Sequence, residues 1–130
     1  MIVSNHGARQ LDDAAATLDV LSAVKAAYVT GGALLLDSGI RRGSDVVKAI
    51  ALGADAVLLG RATLYGLAVA GEAAGASRVI EIVKDEIDRT HALLGCASMA
   101  DVDARHLFPI EPIPMRGSGQ RALNATARSA

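Results

Sequence analysis

Three short apolar runs, Ile2-Val3, Ala33-Leu34-Leu35-Leu36 and Ala56-Val57-Leu58-Leu59, each run into a polar, glycine-containing turn and then a segment with helical spacing. Runs that stay apolar without alternating fit strands covered on both faces. The intervening segments are long enough for crossover helices, so the chain reads as a repeated βα unit with parallel strands. A first helix is expected over 15–28, with Leu18, Leu21 and Val24 on one face and Asp12 or Asp13 as cap. Ser44 is the expected cap of a second, which turns Val46, Val47, Ile50 and Ala51 toward the sheet and is closed by Gly53. A short helix over 63–70 and an amphipathic one over 77–94 follow. The latter has the stripe Ile80, Val83, Ile87 and Leu94, with Asp85 and Arg89 as a surface pair opposite. From Pro109 onward prolines, glycines and scattered arginines have the composition of a disordered tail, so 1–108 is the expected domain and 109–130 the tail.

Composition narrows the class further. The chain has 130 residues, 52% of them hydrophobic but only 2% aromatic, and the apolar share is mostly the Ala, Leu, Val and Ile of helices packed on parallel strands. With a formal net charge of −1 and its 13 Lys and Arg scattered, it offers no patch for nucleic acid, only for a local phosphate. The single Cys96 is expected to serve packing and favours a reducing, cytoplasmic setting. Asp55 and Arg61 interrupt the most apolar stretch, so no membrane segment is expected.

The polar clusters Ser4 to Arg9, Asp37 to Arg41, and Gly60-Arg61 all sit just after an expected strand. They therefore share the face where parallel α/β folds collect ligands. In the first cluster, His6 can accept a proton near neutral pH and Arg9 offers a planar fork for a carboxylate. His6 is read as a general base, with a loop-stabilising ring as the alternative and a metal ligand as the least supported role. His91 and His106 default to structure. In the second cluster, Gly39 and Gly43 let a backbone approach a ligand, and the following helix start would offer free N–H groups to a phosphate beside Arg41 or Arg42. The competing reading is a plain chain turn with solvated arginines. Gly60-Arg61 is a weak phosphate signal alone, but two such turns on adjacent strands reinforce each other and suggest a phosphorylated cofactor.

The segments Ser4-Asn5-His6-Gly7-Ala8-Arg9-Gln10-Leu11-Asp12, Asp37-Ser38-Gly39-Ile40-Arg41-Arg42-Gly43-Ser44-Asp45 and Leu59-Gly60-Arg61 make the chain resemble the FMN-dependent 2-hydroxy acid dehydrogenases and oxidases. That family includes glycolate oxidase, lactate oxidase and mandelate dehydrogenase. Asp37-Ser38-Gly39, with the run from Arg61 to Gly66, is most similar to the bacterial mandelate dehydrogenases. The resemblance implies an α/β fold, namely the last three βα units of a TIM (β/α)8 barrel, and FMN as cofactor. It implies His6 as the base that takes the substrate's proton and Arg9 as the clamp on its carboxylate. It also implies Ser4 as a flavin contact, Asp37, Ser38, Gly39, Ile40 and Arg41 along the ribityl and phosphate side, and Gly60 and Arg61 on the phosphate. The substrate would be a small L-2-hydroxy acid, oxidised to the 2-oxo acid.

In the same resemblance a lysine near the flavin ring, tyrosines near the substrate and the carboxylate partner of the histidine belong to earlier strands. The chain alone is thus expected to be an incomplete enzyme. Three parallel strands leave unpaired edges and an open apolar face, so self-association or an N-terminal half-barrel companion is expected. The alternatives are a non-catalytic remnant that needs such a partner and a phosphate-binding TIM barrel similar to IMP dehydrogenase.

Overall fold

The computed structural model describes residues 1–29 and 31–109, so the expected tail lies, apart from Pro109, outside the described residues. The strands β1 (Ile2–Val3), β2 (Leu35–Leu36) and β3 (Ala56–Val57) form one parallel sheet in that order. The pairing aligns Ile2 with Leu35 and Ala56, and Val3 with Leu36 and Val57. The ladder is shorter than the apolar runs, although Leu34 and Leu58 extend it by single bonds, Asp55 N–H to Leu34 O at 2.8 Å and Leu58 N–H to Leu36 O at 2.9 Å.

Successive strand residues face opposite sides, and the two rows meet different fates. Val3 and Leu36 are buried in a core with Leu21 of α1 (Thr17–Ala27), Val46 and Ala49 of α2 (Gly43–Ala51), and Val83 of α4 (Glu72–Leu94). Full burial of Leu21, Leu34 and Leu36 contributes about 2 kcal/mol each. On the other side Ile2 is 53% and Leu58 39% exposed, so the face that a closed barrel would turn inward is open here. The remaining helix, α3 (Arg61–Ala70), folds back on α4 where Gly66 and Gly75 approach so closely that a Cβ on Gly75 would lie 2.0 Å from Gly66 O.

Several local expectations change. Neither Asp12 nor Asp13 caps α1; the flanking residue is Ala16, with no side-chain cap. The helix start is tied instead through Thr17, whose hydroxyl donates to Asp37 O at 2.7 Å and Ser38 O at 3.1 Å. Ser44 lies inside α2, which begins at Gly43, because Asp45 reaches back to bond the Arg41 and Arg42 N–H groups. Helices α3 and α4 begin earlier than expected, at Arg61 and Glu72, so that Gly75 lies inside α4, where it packs against Gly66 of α3. The inward stripe of α4 is Val79, Val83 and Ile87, while Ile80 is 47% and Leu94 36% exposed. Asp85 and Arg89 form no ion pair among the described residues; the pair within α4 is Arg78 with Glu81, at 3.0 Å. Cys96 packs, as expected, beside the small cluster of Val47, Ala51 and Val102. Its thiol lies 3.4 Å from His106 Nε2, and His91 Nε2 lies 3.1 Å from Met99 Sδ.

Candidate functional site

The chain leaves β1 into a turn of unusual handedness. His6, Gly7 and Ala8 have φ values of +54°, +69° and +57°, a left-handed run that only glycine adopts freely. Local bonds support it: His6 N–H donates to Ser4 Oγ at 3.1 Å and Ala8 N–H to Asn5 O at 2.9 Å. Asn5 Nδ2 donates to Ala15 O at 2.9 Å, leaving its buried Oδ1 without a partner. Long-range bonds complete the support. Gly7 N–H donates to Ser38 Oγ at 3.0 Å, and Arg61 Nη2 donates to Gly7 O at 3.2 Å. A Cβ on Gly7 would stand 3.0 Å from Arg61 Nη2, so glycine is required by contact as well as by φ. The His6 and Arg9 side chains stay exposed.

The turn after β2 carries a second left-handed pair, Ser38 at φ +72° and Gly39 at +81°. Ser38 Oγ also donates to Asp37 Oδ1. Here the expected anion site at the start of α2 is corrected. The Arg41 and Arg42 N–H groups donate to Asp45 Oδ2 at 3.1 and 3.0 Å, and Gly43 N–H donates to Glu86 Oε2 of α4 at 2.7 Å. Two carboxylates of the chain itself occupy the end of the helix that would attract a phosphate. Gly39 and Ile40 N–H groups take no partner among the described residues.

After β3, Gly60 precedes α3 and its carbonyl accepts from Thr63 N–H at 3.1 Å and Thr63 Oγ1 at 2.7 Å. The N–H groups of Gly60, Arg61 and Ala62 have no partner among the described residues, and a Cβ on Gly60 or Gly39 would meet nothing within 4 Å. This helix start is open.

All three turns line one cleft of about 900 Å³. His6, Arg9, Asp37, Ser38, Gly39, Ile40, Arg41, Gly60 and Arg61 lie on its wall; Ser4 does not, its hydroxyl being used on His6 N–H. Three arginines against one carboxylate, already bonded to Ser38, favour an anionic occupant. An apolar wall of Leu58, Leu64, Tyr65, Val79, Ile82 and Val83 completes the cleft. Sequence reasoning did not assign that wall. The available signal was the alternation of β3, which turns Leu58 away from the helices. FMN, whose phosphate needs donors and whose ring needs apolar surface, fits this donor set and a cleft within the ~300–1,000 Å³ range of cofactor sites.

Comparison with known proteins agrees. The family model for FMN-dependent dehydrogenases matches residues 1–109. An L-lactate oxidase of Nostoc sp. is 50% identical over 107 residues, covering 82% of this chain and 29% of that protein. The (S)-mandelate dehydrogenase of Pseudomonas putida is 53% identical over 107 residues, covering 82% of this chain and 26% of that one. A solved structure of an active mutant of (S)-mandelate dehydrogenase superposes with a TM-score of 0.74 at 53% identity over 81% of this chain and 29% of its own. For a mandelate oxidase with benzoyl-formic acid the TM-score is 0.70 at 42% identity, over 78% and 30%. The chain thus spans under a third of the length of these relatives, and its three β/α units correspond to part of their TIM barrel. No helix among the described residues is long and apolar enough to cross a membrane. The match also decides against the IMP dehydrogenase-like alternative: the chain belongs to the FMN-dependent dehydrogenase family.

Proposed function

We propose that this chain supplies the base, the carboxylate clamp and the phosphate grip of an enzyme that oxidises a small L-2-hydroxy acid to the 2-oxo acid. The observation that carries the reading is the convergence, on one arginine-rich cleft at the ends of three parallel strands, of every candidate residue except Ser4. Bound FMN would supply a two-electron acceptor. His6, on its pinned turn, takes the proton released from the substrate's hydroxyl-bearing centre, and Arg9 pairs with the carboxylate and fixes which face is presented. Gly39, Ile40, Gly60 and Arg61 hold the cofactor phosphate through their unpartnered N–H groups, with Arg41 adding charge. The Arg61 guanidinium keeps donors beyond the one used on Gly7 O. Asp37 and Ser38 form the adjoining wall on the ribityl side.

A complementary polypeptide, or a second copy of this chain, covers the open face at Ile2 and Leu58 and the free edges of β1 and β3. Residues 1–108 act as one unit, with 109–130 as its tail. The lone Cys96 fits a cytoplasmic setting. The test is a titration of FMN fluorescence with the chain alone and with a polypeptide spanning the rest of the relatives' length. Flavin reduction by lactate, glycolate and mandelate is then recorded. Binding and reduction in the mixture support the proposal; no FMN binding in either sample overturns it, and binding without reduction points to a non-catalytic remnant.

A further inference from the structure

We propose that Ser38 is the positioning residue of the His6 turn: its hydroxyl, carried on left-handed backbone, bridges the Asp37 carboxylate to the Gly7 N–H and locks the histidine-bearing turn to the end of β2. This rests on the reading of His6 as the base. The backbone of Ser38, at φ +72°, is one that glycine adopts without penalty and serine does not. A serine kept there needs a compensating side-chain role, and its hydroxyl has one. It donates to Asp37 Oδ1 and accepts from Gly7 N–H at 3.0 Å. The carboxylate takes the single hydroxyl proton and so aims an oxygen lone pair at Gly7.

The carrier is itself held, since Thr17 Oγ1 of α1 donates to the carbonyls of both Asp37 and Ser38. The turn that receives the bond needs outside support. Two of its three left-handed residues, His6 and Ala8, are not glycine, and Gly7 at their centre has no local hydrogen bond from its N–H. Removing the Ser38 hydroxyl frees the peptide next to His6 while leaving the sheet and its core untouched.

The experiment compares Ser38→Ala, which keeps the strained backbone without the hydroxyl, with Ser38→Gly, which removes both. Amide hydrogen exchange at Gly7 is followed by NMR in the chain, with the Leu58 N–H of the sheet ladder as internal reference. Gly7 exchange should accelerate at least about tenfold in both variants while Leu58 is unchanged in Ser38→Gly. In the mixture with the complementary polypeptide, kcat should fall on the order of tenfold with KM near its original value. Unchanged Gly7 exchange in Ser38→Gly, acceleration of Gly7 and Leu58 together, or full kcat despite a freed Gly7 each overturns the proposal. A wild type without turnover defeats the enzyme reading alone, and the exchange measurements still decide the role of Ser38.

Discussion

Helices α2 and α3 begin alike, each just beyond a strand-end turn that holds a glycine and an arginine, yet one start is filled and the other open. At α2 the Glu86 carboxylate crosses from α4 to Gly43 N–H, and Asp45 folds back on Arg41 and Arg42. At α3 the Gly60, Arg61 and Ala62 N–H groups keep no partner among the described residues. The positive end of a helix is therefore only a potential anion site. What packs against it decides whether a ligand can use it.

The largest test of this contrast is steric. A Cβ on Gly43 would fall 2.4 Å from Ile87 N and 2.6 Å from the Glu86 backbone, whereas one on Gly60 would meet nothing within 4 Å. Gly43→Ala is expected to lower stability by about 3 kcal/mol in urea denaturation and Gly60→Ala by less than about 0.5 kcal/mol. Equal effects would erase the distinction. Next comes the electrostatic partner: Glu86→Ala leaves Gly43 N–H unpaired and should cost about 2 kcal/mol. Added phosphate should then raise the melting temperature of the variant more than that of the wild type, because the α2 end has been vacated.

The open end is probed by Arg61→Ala, which should weaken FMN binding about tenfold, or ~1.4 kcal/mol, in the assembled protein. A stronger effect on FMN from Arg42→Ala than from Arg61→Ala would reverse the assignment of the two ends. The smallest effect serves as a control at neither helix start. The Arg105 guanidinium, bonded to Asp103, holds that carboxyl down at about 2 instead of its ordinary 3.8. A depressed carboxyl contributes stability above its ordinary value and loses it as pH falls through the folded one. Asp103→Asn should thus lower the melting temperature by only about 1 °C near neutrality, and the difference should vanish toward about pH 2.

The parallel sense of the strands and the clustering of polar turns were legible because they follow from local pattern: continuous apolar runs, helical spacing and glycine at turns. What was not legible depends on packing between elements distant in sequence. Nothing near Gly43 announces that Glu86, 43 residues later, will take its N–H, so the α2 start looked available. The face of α4 was misjudged at Ile80, because which residues turn inward is decided by packing against the sheet and α3: Val79, Val83 and Ile87 face the core while Ile80 is 47% exposed. The resemblance implies Ser38 only as a contact on the cofactor's ribityl and phosphate side, and its φ and its bond to Gly7 reveal what else it supports. The apolar side of the cleft joins β3 with two helices, and no single segment displays it.

Gly7 sends its N–H to a residue 31 positions away and takes at its carbonyl a donor 54 positions away. Contacts of such long separation form only after the intervening loops have closed, so the order of folding is constrained as well as the final shape. A peptide comprising the first sixteen residues would have the histidine but not its geometry. The turn that carries the proposed base is thus expected to take its native form only with the ends of β2 and β3 in place, and to lose it when either detaches.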